Sequence, residues 1–385
     1  MRLNRRRFVT GMGTGAGIAL AGCVGGPQDS GGDDTPTDDG NGDGGDDEES
    51  TPTATPMDPV NVGMVYATGG LGDGSFNDQA QTGIIQAEEE LGIQYSEAQP
   101  SEVSEFANLQ QQFASSEDPT YELVSCIGFL QTSALAQNAA DYPDQNFMIV
   151  DSVPTTEDGE QFGNVASYVF AEQEGSYLVG QLAGLLTTQS FSAGAGSTQS
   201  DSTNVGFVGG VESPLIRRFE AGYIAGVQAA NDDVDVQTSY VGDFNDPAGG
   251  REAALAMYNS GADIVYHAAG NTGTGVFQAA QDQSRFAIGV DSDQSLTRSS
   301  YADVIVASMV KRVDTAVFEG VSSVVNDEFA GGTTQALGLA EDGVGIVYGD
   351  QIGGDVPDDV VSQIEESRQA IVDGDVEVPT DPSNV

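Results

Sequence analysis

Lys311 is the only lysine in this 385-residue chain, and apart from a single histidine every other basic side chain is arginine. An ammonium group is a compact charge with three hydrogen-bond donors, which suits it to a sugar hydroxyl or a buried carboxylate. The alternative is a chance lysine on the surface. We treat Lys311 as a candidate binding residue.

Four further candidates come directly after apolar runs that predict strands or lie in the loops that follow them. Asp151 follows one such run and Asp291 another, although Asp151 would also suit a turn or a helix N-cap. Phe76 and Phe244 lie in polar loops, where a core phenylalanine is not needed. An aromatic ring that is not needed in a core can stack on the face of a flat base, which contributes about 1–3 kcal/mol per base. The alternative is that each ring fills its own loop. Asn77, beside Phe76, offers a donor and an acceptor.

The segment from Gly270 to Gly275 follows a predicted strand and opens a predicted helix. Its backbone N–H groups could receive ligand oxygens. Its glycine spacing differs from the dinucleotide fingerprint Gly-x-Gly-x-x-Gly, and a plain tight turn is the alternative.

The sequence gives little support for catalysis. His267 is the only histidine, and its place after an apolar strand favours a structural role. We find no nucleophile-elbow or phosphate-loop motif, and we expect no metal site and no cofactor. An extracellular nucleoside hydrolase would need a dense aspartate cluster near residue 60, which Val60–Tyr66 lacks. A purely structural surface protein would not explain the loop residues above.

The elements that must position these residues alternate between strands and helices, in two successive series. Such alternation predicts parallel sheets covered on both faces, and ligands bind outside the carboxyl ends of their strands. The predicted strands are 60–66, 121–127, 147–150, 165–170, 204–208, 236–241, 264–266, 286–290 and 304–309. The predicted helices are 77–91, 133–140, 174–186, 214–230, 247–260 and 275–283.

The N-terminus predicts export. Arg5-Arg6-Arg7-Phe8 is a twin-arginine signature, a short apolar stretch follows, and Leu20–Cys23 resembles a lipobox at which Cys23 would be acylated. Residues 25–59 are acidic and nearly devoid of apolar side chains, so we expect a disordered tether. The chain carries 60 acidic residues against 12 Lys plus Arg, a net charge of −48. This charge argues against nucleic acid as a partner and suggests an extreme halophile, in which molar salt screens the repulsion.

Eight segments in continuous order resemble the basic membrane protein family of lipid-anchored solute-binding proteins of ABC importers, similar to purine nucleoside receptor lipoproteins. They span residues 60–312 and include Gly69–Asn77, Gly242–Pro247, Gly289–Gln294 and Ser308–Arg312. The resemblance implies a type I periplasmic-binding-protein fold, with two doubly wound parallel-sheet lobes and a ligand cleft between them. The expected divisions are a signal peptide (1–22), a tether (23–59), lobe 1 (60–165 plus about 309–335), lobe 2 (166–308 plus about 336–378) and a polar tail (379–385).

The resemblance also assigns roles to the candidates. Phe76 and Phe244 would sandwich a base whose edge Asp151 reads, and Asn77 could add a hydrogen bond. Asp291 would accept from the ribose hydroxyls with Lys311 neutralising it, and Gly270 and Gly273 would contact the ribose. The usual family glycine at position 271 is Asn here. The implied protein is a monomeric, non-enzymatic receptor on the outer face of the cell membrane, which passes a nucleoside to a permease and ATPase complex. The alternative within this class is another ligand, such as a sugar or an amino-acid-derived compound.

Overall fold

The computed structural model describes residues 59–199 and 202–385. The predicted signal peptide, the lipid attachment at Cys23 and the tether up to residue 58 lie outside this described part. Among the helices of the described residues, none combines the length and the apolar character needed to cross a membrane.

Fourteen strands and ten α-helices make up the described chain. The strands are β1 (Asn61–Val65), β2 (Gln94–Ala98), β3 (Leu123–Ile127), β4 (Asn146–Val150), β5 (Val165–Phe170), β6 (Ser192–Ala193), β7 (Gly196–Ser197), β8 (Asn204–Gly209), β9 (Asp235–Tyr240), β10 (Ile264–Ala268), β11 (Phe286–Asp291), β12 (Ile305–Lys311), β13 (Thr333–Leu337) and β14 (Val344–Tyr348). The helices are α1 (Phe76–Leu91), α2 (Phe106–Ala114), α3 (Thr132–Asp141), α4 (Glu172–Thr187), α5 (Pro214–Ala230), α6 (Pro247–Asn259), α7 (Gly273–Gln283), α8 (Gln294–Thr297), α9 (Val313–Val325) and α10 (Asp358–Val372).

Two six-stranded sheets with the same layout form the two lobes. The first has the order β13-β5-β4-β3-β1-β2 and the second the order β14-β12-β11-β10-β8-β9. Every pairing in the first sheet is parallel, and in the second only β14 runs antiparallel, against β12. The predicted α/β class with two doubly wound lobes is confirmed.

The central strands were predictable because they are buried on both faces. All five residues of β3 are buried, as are all seven of β12, and such strands read as continuous apolar runs. The edge strands β2 and β13 are partly exposed and polar, with the sequences QYSEA and TTQAL. They lack the apolar run, and the sequence analysis missed them.

Helices α4 and α5 pack unusually closely because glycines lie at their contact. A side chain at Gly180, Gly222 or Gly226 would collide with the backbone of the facing helix. Helix α5 begins cleanly, with Ser213 Oγ accepting a hydrogen bond from Ile216 N and Pro214 in the first turn. Helix α4 begins directly after β5, and its close contact with α5 holds it against the second lobe.

The chain crosses between the lobes after β5, after β12, and between β13 and β14. The predicted boundary at 165 placed β5 in the second lobe, but β5 hydrogen-bonds to β4 and β13 in the first. The boundaries at 308 and 335 similarly cut β12 and β13. These boundaries are wrong because a strand stays whole within its ladder, and the crossovers fall in the short connections beyond each strand. The predicted polar tail contacts α5 through an ion pair, in which Asp381 Oδ1 lies 3.5 Å from Arg217 Nη2.

Candidate ligand-binding site

A cavity opens between the carboxyl ends of the two sheets, with walls from both lobes. Seven of the eight predicted ligand contacts line it, and Gly273 is the exception. The lining includes Phe76, Asn77, Gly128, Phe129, Asp151, Ile216, Phe219, Phe244, Gly270, Asp291 and Lys311. The strand ends bring together residues that are far apart in the chain, such as Phe76 and Lys311, which are 235 positions apart.

Lys311 is buried, with 1% of its surface exposed, so it is not a chance surface lysine. Its Nζ lies 2.6 Å from Asp151 Oδ1 and 3.2 Å from Glu172 Oε1. Three phenylalanine rings surround the same ammonium, with centroids 5.0–5.5 Å away, which adds cation–π attraction. Burial by itself would lower the pKa of Lys311, but the neighbouring carboxylates outweigh it and raise that pKa. The lysine stays charged.

The expected pairing of Lys311 with Asp291 is corrected by these distances, because the ammonium pairs with Asp151 and Glu172. The Asp291 carboxylate instead accepts a hydrogen bond from Ser75 Oγ in the other lobe. Burial raises the pKa of Asp291 to about 6, with Lys311 and the Ser75 hydroxyl acting against the shift. Asp291 is therefore ionised at neutral pH and is held at the lobe interface.

Asp151 and Asp291 hold equivalent places in the two sheets, at the ends of β4 and β11. Both adopt a left-handed backbone, with φ of 69° and 66°. A left-handed backbone at a non-glycine residue costs of order 1–3 kcal/mol of folding free energy, and such residues cluster at functional sites. Asp151 therefore has the backbone conformation of a turn residue, as the alternative interpretation proposed, and it also lines the cavity.

Glu172 is a buried member of this cluster that the sequence analysis missed. Its side chain is fully buried, and burial raises its pKa to about 7 against the opposing charge of Lys311. Neither carboxylate oxygen accepts a well-aligned hydrogen bond from the described residues. Lys311 supplies most of the opposing charge, and Arg218, whose Nη1 lies 3.8 Å from Glu172 Oε2 on a 42% exposed side chain, adds a weaker attraction. In a chain with 60 acidic residues, nothing in the sequence distinguished this one.

Four phenylalanines line the cavity: Phe76, Phe129 and Phe244 are half-buried, and Phe219 is buried. Phe129 meets Phe244 edge to face, with centroids 6.4 Å apart. Gly128 has a φ of 104° and leaves room for Phe76, whose Cε1 lies 3.3 Å from where a Cβ would stand. Phe129 was missed because the loop after β3 contains no polar run to draw attention to it.

The side chain of Asn77 holds its own loop in place. Its Oδ1 accepts a hydrogen bond from Ala67 N at 2.9 Å, and its Nδ2 donates to Asp73 Oδ2 at 3.0 Å. Asp73 also accepts from Ser75 N at 2.9 Å. Asn77 lines the cavity, but its polar atoms are already engaged in shaping the loop that carries Phe76.

The glycine loop divides into two roles. Gly270 lines the cavity with a φ of 55° and packs against the backbone of Phe244. Gly273 lies away from the cavity wall, and the absence of its side chain makes room for the ring of His267. His267 is buried, shares a hydrogen bond of 2.9 Å with Gln294 Oε1, and has its pKa lowered to about 3 by burial. It is neutral and structural, as expected.

A second set of contacts latches the lobes together beside the cavity. The carbonyl oxygen of Gly74, in the first lobe, accepts hydrogen bonds from three side chains of the second lobe. The donors are Ser292 Oγ at 3.0 Å, Gln294 Nε2 at 3.2 Å and Thr297 Oγ1 at 2.8 Å. Arg298 adds a hydrogen bond to Gly72 O at 2.9 Å. These hydrogen bonds hold the two lobes in contact at the loops after β1 and β11.

Within the described residues, no cluster of His, Cys, Asp or Glu has the arrangement of a metal site. The cavity wall presents aromatic faces, the carboxylates of Asp73, Asp151 and Asp291, and one ammonium, that of Lys311. Such a set suits a flat, polar small molecule.

Comparison with known proteins agrees with this architecture. The family model for the PnrA-like substrate-binding proteins of ABC transporters, Bmp, matches residues 60–381. A CD4+ T-cell-stimulating antigen of Listeria monocytogenes is 36% identical over 83% of this chain and 88% of its own length. The ABC transporter nucleoside-binding protein BmpA of Lactococcus lactis is 32% identical over 83% of this chain and 89% of its own.

Archaeal relatives are also present. An uncharacterized lipoprotein of Pyrococcus furiosus is 33% identical over 84% of this chain and 82% of its own length. The crystal structure of an ABC transporter solute-binding protein from Aeropyrum pernix superposes with a TM-score of 0.73, at 29% identity, over 84% of this chain and 95% of that one. The fold is of the periplasmic-binding-protein type, and the chain belongs to the Bmp family of ABC transporter substrate-binding proteins.

Proposed function

We propose that this substrate-binding protein captures a nucleoside, a purine nucleoside by preference, and delivers it to the permease and ATPase of an ABC importer. The observation that carries the proposal is the cavity between the lobes, in which Phe76 and Phe244 stand with the carboxylates of Asp151 and Asp291. Aromatic faces suit a base, and carboxylates suit the N–H and O–H donors of a base edge and a sugar.

In this proposal the two lobes divide the ligand between them. Asp151 accepts from the base edge, and Asp291 accepts from the ribose hydroxyls in place of Ser75. Lys311 balances Asp151, and from its place in the cavity wall it can also donate to the sugar. Gly270 offers its backbone to the ribose, and Gly273, which lies away from the cavity wall, supports the loop. A ligand that touches both lobes stabilises the closed form, and the permease would recognise that form.

The test is mass spectrometry of the small molecule released when the purified protein is denatured. We expect the mass of a nucleoside at close to one equivalent, and much less of it from Phe244→Ala protein prepared in the same way. Release of a hexose or an amino-acid-derived compound instead would replace the nucleoside with another ligand class.

The membrane anchor is a separate part of the proposal. It is supported by the Leu20–Cys23 sequence and by the naming of several relatives as lipoproteins. Cys23→Ser should move the protein from the membrane fraction to the soluble fraction or leave it unprocessed. Equal solubility of both proteins, with no lipid mass on the wild type, would exclude acylation at Cys23.

A further inference from the structure

Glu172 and Lys311 form an ion pair at the crossovers between the lobes. Glu172 begins α4 directly after the first crossover, and Lys311 ends β12 directly before the second. Their charged atoms are 3.2 Å apart, and both side chains are buried. The pair therefore joins two of the chain segments that link the lobes.

The same ammonium also serves the ligand cavity. Lys311 lies 2.6 Å from Asp151, which belongs to the first lobe and lines the cavity, whereas Glu172 does not line it. One buried cation thus faces two buried carboxylates. Arg218 of α5 is 3.8 Å from Glu172 and 42% exposed, so it balances little of this charge. Asp291 of β11 adds a third carboxylate that acts on Lys311 from a greater distance.

We propose that Glu172 is a positioning residue for ligand binding that acts through Lys311. When Glu172 is ionised, it shares the ammonium and leaves the Asp151 carboxylate free to accept hydrogen bonds from the ligand. When Glu172 is protonated, Lys311 turns wholly to Asp151 and competes with the ligand for it. The inference rests on the proposed function, because it takes Asp151 as a ligand acceptor.

Glu172 can exchange a proton near neutral pH. Its pKa is raised to about 7 by burial, with Lys311 opposing the shift and Asp151 adding to it. The other titratable neighbours change protonation outside this range. Burial raises the pKa of Tyr266 well above its ordinary value, and Asp291, with its pKa raised to about 6, titrates at lower pH. A ligand that prefers the ionised form of Glu172 must release a proton as it binds.

The experiment is calorimetric titration with inosine, adenosine and guanosine between about pH 5.5 and pH 8.5, on wild type and on Glu172→Gln. The two proteins should bind equally at the acid end, where Glu172 carries a proton. At the alkaline end the wild type should bind each nucleoside at least about fivefold more tightly than Glu172→Gln does. A ratio that stays constant across the range would overturn the proposal, because a purely structural effect does not follow this titration.

Glu174→Gln is the matched control, since Glu174 lies on the same helix and accepts a hydrogen bond from Leu339 N at 2.9 Å. It should keep the wild-type pH profile. If Glu172→Gln does not fold, the wild type alone decides the question through titration in buffers of different ionisation enthalpy near pH 7. Proton release on binding supports the proposal, and proton uptake or no exchange overturns it. A wild type that binds none of the three nucleosides at any pH would refute the proposed function itself, and this inference with it.

Discussion

Thr297 in the second lobe donates a hydrogen bond from Oγ1 to the carbonyl oxygen of Gly74 in the first lobe, at 2.8 Å. Ser292 and Gln294 donate to the same oxygen. These bonds can exist only while the lobes are together, so they should contribute to closing the cavity over a ligand.

We predict that Thr297→Val weakens ligand binding, because one bond that favours the closed form is lost. A typical hydrogen bond contributes about 0.5–1.5 kcal/mol, so the dissociation constant should rise by up to about tenfold. Calorimetry measures the affinity, and small-angle scattering should show a more open ligand-free protein. Thr188→Val is the control, since Thr188 bonds only within α4. If both variants match the wild type, the hydrogen bonds to the Gly74 carbonyl oxygen have no role in closure.

The aromatic walls give a second prediction. Phe76→Ala and Phe244→Ala should each cost about 1–3 kcal/mol of nucleoside affinity through lost stacking. Both rings are half-buried at the cavity, so the melting temperature should change less. Phe113→Ala is the opposite control, because Phe113 packs against Gly63 and Tyr121 away from the cavity. That variant should lose stability and keep affinity. Wild-type affinity in both cavity variants would contradict the assignment.

Lys311→Met should lower the stability of the fold and also weaken ligand binding. Removing the ammonium takes the counter-ion from Asp151 and leaves Glu172 only the partly exposed Arg218, and breaking such a buried pair costs about 3–5 kcal/mol. Chemical denaturation measures the loss in free energy of unfolding. Arg312→Met, at the next and exposed position, should have little effect. A Lys311→Met protein as stable as Arg312→Met would show that the buried carboxylates do not depend on the lysine.

The single histidine makes a pH prediction simple to measure. Burial lowers the pKa of His267 to about 3, whereas the unfolded chain would protonate it near 6.5. The unfolded state therefore binds the additional proton first, and stability from this group is present above pH 6.5 and lost as pH falls towards 3. The imidazole NMR signals should not titrate between about pH 5 and pH 8. A midpoint close to 6.5 would place His267 in contact with solvent.

The sequence predicts most of the scaffold, since buried parallel strands such as β3 and β12 appear as apolar runs and their carboxyl ends mark where ligands bind. It also predicts Phe76, Phe244, Asp151 and Lys311 as cavity residues. It does not predict which carboxylate meets Lys311, because that depends on how two crossovers place Glu172 beside β12. The left-handed backbone of Asp151 and Asp291 is likewise a product of tertiary packing, which residue type alone does not specify.

Calorimetric titration of ligand-free protein with inosine, adenosine and guanosine, with their free bases, and with ribose and glucose, tests the central claim most directly. The measurement belongs in molar potassium chloride, where a net charge of −48 is well screened. We expect one purine nucleoside per chain to bind, more tightly than its free base, with ribose and glucose giving no heat. Tight binding of a sugar, or no binding of any nucleoside, would contradict the account.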